Sequence, residues 1–240
     1  MLQPKLIIHS IFLALIALVL TGCAVQKPID VMSEERLIPG IFLEEPSRAG
    51  LPRGVELRKI SDLGLQITKD SEGFEPELYN DPAGFCTIGY GHLIKKSSCN
   101  GDERKELASC DVSMPGEFTA AISYLRGEEI LRCDMVLAEM AVTLHARDDL
   151  TDNEYSALVD FTFNVGAGNF KNSTLLRKVN AGNYQRIPYE FRRWVYANGK
   201  VYNGLKIRRE KEIELFFGEK IVIRGEMPDE SELIDIRVGE

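Results

Sequence analysis

The spacing of hydrophobic positions after residue 115 predicts a mainly helical region. Apolar residues recur there at intervals of three and four, the period of a helix with one buried face. Thr151 and Glu154 form a capping box that starts one of these helices, and the glycines of "FNVGAGNF" close it. The other helices are predicted at 117–145, with a break near Gly127, and at 173–180, 185–197 and 204–217.

The region before these helices has a different pattern. From Leu57 an imperfect apolar face predicts a helix that ends just before Glu72, and the glycines and prolines that follow exclude a continuous helix. Residues 85–88 have β character and predict short strands joined by tight turns. Strand alternation places Cys86 and Thr87 on opposite faces, so we expect Thr87 in a cleft and Cys86 buried. The predicted fold is α+β and predominantly helical, with a small β-hairpin region, a larger helical lobe and a cleft between them.

The amino terminus has the pattern of an export signal. The apolar run Leu6–Leu20 follows Lys5 and is shorter than the roughly 20 residues of a membrane-spanning helix. The sequence "LTGC" after it resembles a bacterial lipobox, which predicts a signal peptide at 1–22 and a lipidated Cys23 that anchors the chain to a membrane. Ala24 is not the acidic residue of the enterobacterial retention pattern, so a periplasmic lipoprotein of the outer membrane is favoured. An uncleaved signal anchor in the inner membrane is the alternative.

Two segments flank the expected domain. Scattered prolines and the lack of a sustained period predict a flexible tether at 23–56. The folded domain is expected at 57–220, and the acids at 221–240 predict a carboxyl-terminal tail. A length of 240 residues fits one domain with such appendages.

Charge narrows the range of partners. The net charge of −8 argues against nucleic acid, because phosphate recognition needs an excess of basic side chains on the contact face. Between Lys171 and Lys211, however, eleven basic residues face only two acids. This segment is either a solvated helical face, which we favour, or a surface that meets an anionic wall polymer.

The hairpin stretch also contains the candidate chemistry. Eight residues separate Glu72 from Asp81, and five separate Asp81 from Thr87. Two carboxyl groups suit cleavage of a glycosidic bond, because one protonates the leaving oxygen and the other stabilises or activates the attacking side. In a chain that is 28% charged, such a pair is not specific by itself.

Three sequence blocks make the pattern specific. Glu72 is followed by "LYNDPAGFCTIGYGH" at 78–92, "ALVDFTFNVGAGNF" at 157–170 and "NGLKIRREKEIELF" at 203–216. Together they resemble the phage-type lysozymes of glycoside hydrolase family 24 over about residues 57–218. The resemblance implies a lysozyme-like two-lobed fold. It also implies a muramidase that cuts the β-1,4 bond between N-acetylmuramic acid and N-acetylglucosamine in peptidoglycan.

The resemblance assigns a role to each residue of the trio. Glu72 matches the general acid, Asp81 the second carboxylate, and Thr87 the residue that helps to place the attacking water. A general acid must hold its proton near neutral pH, so we expect Glu72 in a water-poor site and Asp81 in a more polar one. The family favours inversion, for which the carboxyl groups lie roughly 6.5 to 9.5 Å apart. No cofactor and no metal are expected, and the protein is expected to be a monomer.

Other polar side chains of the blocks are expected to be structural. Glu75 and Glu77 are predicted on a turn, where solvated acids are common. His92 ends a strand, where a hydrogen-bonded structural histidine is favoured over a general base. Arg208 and Arg209 lie in the third block, and the sequence does not place them relative to the cleft.

Four cysteines follow Cys23, and in an exported protein an even number favours disulfides. The expected pair is Cys99 with Cys110, which would clip a loop that looks like an insertion relative to the family. Cys86 and Cys133 would then bond to each other or stay buried.

Two other functions stay open at this stage. A wall-binding lipoprotein would keep the fold without cleaving, although it has no need of the trio at the family spacing. A lytic transglycosylase would release a 1,6-anhydro product, and the water-placing pair Asp81 and Thr87 argues against it.

Overall fold

The computed structural model describes residues 51–52, 54–81, 84–100, 121–197, 199–218 and 226–236. The predicted signal peptide, Cys23 and most of the predicted tether lie outside the described residues, as does Cys110. In the described part of the chain, the helices are too short or too polar to cross a bilayer.

The first helix, α1, spans Asp62–Glu72 and ends where the sequence predicted. It starts later than expected because the hydroxyl of Ser61 accepts a hydrogen bond from the Gly64 N–H and caps the helix. Gly73 stops the helix with a φ of 73°, a left-handed conformation that glycine adopts readily. Glu72 is therefore the last residue of a helix whose apolar face is buried in the lobe.

Three short strands follow, as predicted. They are β1 (Glu75–Asn80), β2 (Cys86–Gly89) and β3 (His92–Lys95), and they form an antiparallel sheet in that order. Glu75 and Glu77 thus lie on a strand and not on a turn, although both are exposed as expected. The sheet packs with α2, described below, over a small apolar cluster that includes Cys86 and Ile88.

The disulfide prediction is wrong. Cys99 is bonded to Cys86, with the two Cα atoms 4.8 Å apart, and not to Cys110. The reason is the path of the chain after β3, which returns along β2 so that the Cys86 N–H donates to the Ser97 carbonyl at 2.9 Å. Cys133 is also disulfide-bonded, so its expected pairing with Cys86 is excluded.

The expected break near Gly127 is also wrong. Helix α2 spans Tyr124–Asp134 and helix α3 spans Val136–His145, so the interruption lies at Met135. Gly127 lies inside α2, where an added Cβ would come within 2.4 Å of the Phe74 ring. The glycine therefore allows close packing against the segment that follows Glu72, and it does not end the helix.

Helix α4, Asp152–Val165, is the central helix of the large lobe and packs against α1 and α3. The capping box is confirmed, because the Thr151 hydroxyl accepts the Glu154 N–H and the Glu154 carboxylate accepts the Thr151 N–H. The predicted glycine stop is confirmed at Gly166, with a φ of 90°. The next helices are α5 (Ala167–Asn172) and α6 (Thr174–Asn180), and α6 matches the helix predicted at 173–180.

The helix predicted at 185–197 is only partly present. A 3-10 turn at Tyr184–Arg186 leads into a short helix, α7, Ile187–Arg192, and the chain then becomes extended. Trp194 lies just beyond α7, and its ring meets the Phe161 ring edge to face at a centroid distance of 5.5 Å. This tertiary packing outweighs the local helical pattern.

A second small sheet was not predicted. It consists of β4 (Tyr196–Ala197), antiparallel β5 (Lys200–Val201) and parallel β6 (Asp235–Ile236). Ile236 is only 3% exposed and belongs to the main apolar core. Residues 226–236, which the sequence assigned to a tail, therefore pack on the helical lobe.

The last helix, α8, spans Asn203–Phe217 and confirms the prediction for 204–217. It packs against α1, α4 and α7. Its buried face is unusual because it mixes charged with apolar side chains, namely Arg208, Arg209, Glu212, Ile213 and Phe216.

The basic segment Lys171–Lys211 is largely neutralised by acids. In the part of the chain that the structure describes, six of its basic side chains make ion pairs, among them Arg192 with Glu210 at 2.6 Å and Lys211 with Asp70 at 2.7 Å. The geometry thus favours a structural role for these charges over a free surface for an anionic polymer.

Candidate active site

One arginine connects the Glu72 carboxylate to the core of the helical lobe. Nη1 of Arg208, on α8, donates a hydrogen bond to Oε1 of Glu72 at 2.7 Å. The Glu72 side chain is 31% exposed, whereas that of Arg208 is 4% exposed. The surroundings of Glu72 are therefore less water-poor than the sequence led us to expect, and the carboxyl is reachable from solvent.

Asp81 follows β1, and its hydrogen bonds stabilise the turn of the hairpin. Its N–H donates to the Phe85 carbonyl at 2.9 Å, and the Phe85 N–H donates back to Oδ1 of Asp81 at 2.8 Å. The carbonyl of Asp81 accepts the Gly84 N–H at 2.8 Å. These bonds fix the backbone of Asp81 and one carboxylate oxygen relative to the strands.

Thr87 lies on β2, where it is the pairing partner of Tyr79 on β1. Its hydroxyl donates to the Phe85 carbonyl at 3.1 Å. The expected contrast in exposure with Cys86 is not found, because Thr87 is 3% exposed and Cys86 is 0% exposed, so both side chains are buried.

Tyr79 connects the two carboxyl groups electrostatically. The pKa of its phenol is raised, first by burial and then by the negative charges of Asp81 and Glu72. Both carboxyl groups therefore influence the same hydroxyl, which belongs to the β1 residue that pairs with Thr87. The sequence analysis did not single out Tyr79.

Behind Glu72, Arg208 is held by a second acid. Its Nε and Nη2 donate to the two oxygens of Asp160, at 3.1 and 2.9 Å, and the Thr68 hydroxyl donates to the same carboxylate. Burial alone would lower the pKa of Arg208, but the charges of Asp160 and Glu72 outweigh this effect and raise it. The guanidinium therefore stays charged, and its remaining nitrogen, Nη1, points at Glu72.

A second arginine continues this network away from Glu72. Nη2 of Arg209 donates to Oε1 of Glu212 at 2.6 Å and to Oδ1 of Asn164 at 2.8 Å. The guanidinium also lies 4.9 Å from the centroid of the Phe161 ring. Arg209 and Glu212 are both 0% exposed.

The sequence analysis placed neither arginine and missed the acids. Asp160 has a signal that was not used, a lone acid inside the apolar run "ALVDFTF" of a helix. Glu212 has another, since it follows Arg208 and Arg209 by four and three residues on one helix face.

His92 is buried and hydrogen-bonded, as predicted, although it begins strand β3 and does not end a strand. Its Nδ1 lies 3.0 and 2.9 Å from the two oxygens of Asp134, and its side chain is 2% exposed. Burial lowers the pKa of His92, but the charge of Asp134 and the hydrogen bond to it outweigh burial, so the pKa is raised above its usual value. The pair ties β3 to α2.

Metal ligands do not cluster in the described ranges, where no three His, Cys, Asp or Glu side chains group as a metal site. The residues of the candidate site supply instead two carboxyl groups, a hydroxyl and a fixed guanidinium. Two carboxyl groups are what acid-catalysed cleavage of a glycosidic bond uses.

Comparison with known proteins agrees with this arrangement. Residues 69–212, which contain the trio and the arginine network, match the phage lysozyme family. This chain belongs to the phage lysozyme family. The match begins within α1 and ends within α8, so Glu72, Asp160 and Arg208 all lie inside it.

Individual proteins are similar to this chain in sequence and in fold. The endolysin of Bacillus phage B103 is 36% identical over 159 residues, which cover 65% of this chain and 53% of that endolysin. The chain thus spans about half the length of this relative. The endolysin from Escherichia coli O157:H7 phage FAHEc1 has a TM-score of 0.54 at 29% identity, covering 72% of this chain and 99% of that one. The muramidase domain of SpmX from Asticaccaulis excentricus has a TM-score of 0.53 at 29% identity, covering 66% of this chain and 97% of that domain. The lysozyme-like α+β fold is therefore confirmed.

Proposed function

We propose that this protein is a muramidase that cuts the β-1,4 bond between N-acetylmuramic acid and N-acetylglucosamine of peptidoglycan. One observation carries the proposal: at the end of α1 the buried Arg208 donates to the partly exposed Glu72 carboxylate, and the next strand, β1, pairs with Thr87 and leads into Asp81. The match to the phage lysozyme family over residues 69–212 supports it, as does the similarity to a muramidase domain.

In this mechanism Glu72 protonates the glycosidic oxygen as the bond breaks. Asp81 accepts the proton of a water that attacks the opposite face of the sugar, and the Thr87 hydroxyl helps to place that water. The product then has the inverted configuration at the anomeric carbon. A proton NMR time course of the first-formed product tests this step, and a product that first appears with the β configuration would exclude inversion.

The experiment that tests the reaction is digestion of purified peptidoglycan by the full chain and by Glu72→Gln. The substitution keeps the shape of the side chain but removes the transferable proton, so we expect cleavage to fall by at least about a hundredfold. Glu75→Gln and Glu77→Gln are matched controls on the neighbouring strand, and both are expected to keep activity. Mass spectrometry of the released muropeptides identifies the bond that was cut.

Three outcomes separate the alternatives. Muropeptides with a reducing end from the wild type, and none from Glu72→Gln, support a muramidase. Anhydro products, lighter by one water, would indicate a lytic transglycosylase. Binding to peptidoglycan without release of any product would indicate a wall-binding lipoprotein.

We further propose that the chain is exported and anchored as a monomeric lipoprotein through Cys23, with the outer membrane favoured. The lipobox-like "LTGC" supports the anchor, and the Cys86–Cys99 disulfide supports an oxidising compartment such as the periplasm. A flexible tether of about thirty residues has an r.m.s. span of roughly 30 Å, which favours cutting of nearby wall.

The anchor is tested by expressing the full chain and Cys23→Ser in a bacterium fed with a labelled fatty acid. The wild type is expected to carry the label and to sediment with membranes, and Cys23→Ser is expected to lose the label. An unlabelled wild type that still sediments with the inner membrane would favour the signal anchor.

A further inference from the structure

Asp160 is a buried carboxylate that the proposed mechanism does not use. It lies on α4, and its side chain is 0% exposed. Thr68, four residues before Glu72 on α1, donates a hydrogen bond to Oδ1 of Asp160 and is also 0% exposed. Arg208 of α8 binds both oxygens of the same carboxylate. Three helices, α1, α4 and α8, therefore meet at Asp160, which is one arginine away from the proposed acid.

The guanidinium of Arg208 divides its donors between two acids. Nε and Nη2 form a bidentate pair with Asp160, at 3.1 and 2.9 Å, whereas Nη1 lies 2.7 Å from Oε1 of Glu72. A bidentate pair holds a planar guanidinium in one orientation. Asp160 therefore sets the direction in which Arg208 presents Nη1 to Glu72.

The other charged groups near Arg208 are bonded to each other. Oε1 of Glu212 is 3.7 Å from Nε of Arg208, but it accepts its hydrogen bond from Nη2 of Arg209 at 2.6 Å. Arg209 and Glu212 are both 0% exposed, so they form a buried pair of their own. The buried cation Arg208 is then matched by the buried anion Asp160, and Glu72, 31% exposed, is a second acid on the same cation.

From the hairpin, the group coupled to Glu72 is Tyr79 on β1. The pKa of Tyr79 is raised, first by burial and then by the charges of Asp81 and Glu72, so its phenol is neutral in the range where a carboxyl group titrates. The charge of Arg208, at 2.7 Å, therefore bears most closely on Glu72.

This arrangement bears on the proton of Glu72. A general acid must hold its proton before the reaction and release it during the reaction. If Glu72 were the only counterion of the buried Arg208, binding a proton would leave that guanidinium unmatched in the interior, which is costly. With Asp160 in place, Glu72 can bind a proton while the buried charges stay matched.

The same contacts suit the release of the proton. Because Arg208 donates to Oε1 of Glu72, the transferable proton belongs on Oε2. When that proton moves to the glycosidic oxygen, Glu72 becomes a carboxylate, and the charge-assisted hydrogen bond from Nη1 stabilises it.

We propose that Asp160 is a positioning residue that matches the charge of Arg208, so that Arg208 orients the Glu72 carboxyl without holding it in its ionised form. Asp160 does not touch the substrate and acts only through Arg208. The effect on catalysis rests on the proposed muramidase activity, whereas the effect on the titration of Glu72 does not.

The test compares Asp160→Asn with the wild type through the pH dependence of kcat/KM on soluble peptidoglycan fragments. The amide keeps the size of the side chain but not its charge, so Glu72 becomes the only counterion of Arg208. Glu72 then loses its proton more readily, and we expect the alkaline limb to move to lower pH by at least about one unit. The acidic limb, which Asp81 sets, is expected to stay in place. An alkaline limb that does not move in a folded Asp160→Asn overturns the proposal.

Thr68→Val is the matched control, because it removes a hydrogen bond to Asp160 and leaves the charge of Asp160 unchanged. We expect its melting temperature to fall by a few degrees and its alkaline limb to stay where the wild type has it. An equal shift of the limb in Thr68→Val and Asp160→Asn would show that the contacts act through packing alone, against the proposal.

If Asp160→Asn does not fold, the double variant Asp160→Asn with Arg208→Gln decides. It removes both buried charges, so we expect it to fold and to have an alkaline limb no lower than that of the wild type. A double variant that also fails to fold, or whose limb falls by a unit, would show that Asp160 does more than match Arg208. Either result overturns the proposal.

A readout without substrate separates this proposal from the muramidase activity. Carbon NMR of protein labelled at the glutamate carboxyl carbons follows the titration of Glu72, whose signal is identified by its loss in Glu72→Gln. We expect the midpoint of that titration at lower pH in Asp160→Asn than in the wild type. If the midpoint moves but the wild type does not cleave peptidoglycan, the muramidase proposal fails and this one stands. An equal midpoint in the two proteins overturns this proposal even if the wild type is active.

Discussion

A single arginine connects the proposed catalytic acid to the interior of this protein. Arg208 is anchored by Asp160 on one side and points its third nitrogen at Glu72 on the other. The sequence predicts the position of Glu72, because Gly73 and the apolar period of α1 mark a helix end. It does not predict the orientation of Glu72, since that depends on contacts between residues more than 100 positions apart.

The pair His92 and Asp134 predicts a pH dependence of stability at the residue scale. The pKa of His92 is raised in the folded protein above its ordinary value of 6.5. A raised pKa means that the stabilisation is fully present below about pH 6.5 and is lost as the pH rises through the folded-state value. We expect the free energy of unfolding of the wild type to fall over that window. His92→Gln should lack this slope, and urea unfolding at a series of pH values measures it.

An equal slope in the wild type and in His92→Gln would contradict this account. Asp134→Asn is the partner control, and it should lose the same slope because the neutral amide no longer favours the charged imidazole.

At the scale of elements, the sequence predicts those whose local signals agree with the fold. Helix α4 has apolar residues at helical spacing and a capping box that fixes its first turn, and α8 has the apolar positions Ile213 and Phe216. The sequence misses β4, β5 and β6, which have two residues each, and β6 pairs with β4 from a distant part of the chain. The helical pattern after residue 185 is likewise overruled by the burial of Trp194.

Gly127 is predicted to be essential for the packing of α2. Gly127→Ala places a Cβ 2.4 Å from the Phe74 ring. The ring, which lies two residues after Glu72 in the chain, must then shift. We expect a destabilisation of about 1–3 kcal/mol, the usual effect of overpacking. Gly204→Ala in α8 is the matched control, because nothing lies within 4 Å of its added Cβ. It should be neutral or stabilising by about 0.4–1 kcal/mol, and thermal unfolding of both variants checks the contrast.

The Cys86–Cys99 disulfide is predicted to stabilise the hairpin that presents Asp81 and Thr87. Cys99→Ala removes the bond but keeps the buried Cys86 in its apolar cluster. A loop of this size contributes about 3 kcal/mol, so we expect the free energy of unfolding to fall by roughly that amount. Denaturant unfolding measures the change, and a stability equal to that of the wild type would show that the crosslink is not needed to hold the strands.

At the scale of the whole molecule, the fold and the proposed trio could be predicted, but the support for the trio could not. The family resemblance rests on three blocks in order, and the match over residues 69–212 confirms it. The buried network of Asp160, Arg209 and Glu212 could not be predicted, because a charged residue in a sequence is assigned to the surface unless its partner is known. The disulfide was mispredicted for a similar reason, since sequence spacing does not give the path of the chain after β3.

The central claim is that water cleaves the glycosidic bond in this site. The most direct measurement is digestion of peptidoglycan by the full chain in water labelled with heavy oxygen, followed by mass spectrometry of the muropeptides. A muramidase is expected to leave one labelled oxygen at each new reducing end, and Glu72→Gln is expected to release no such product. Products without the label, or an intact wall to which the protein remains bound, would contradict the account.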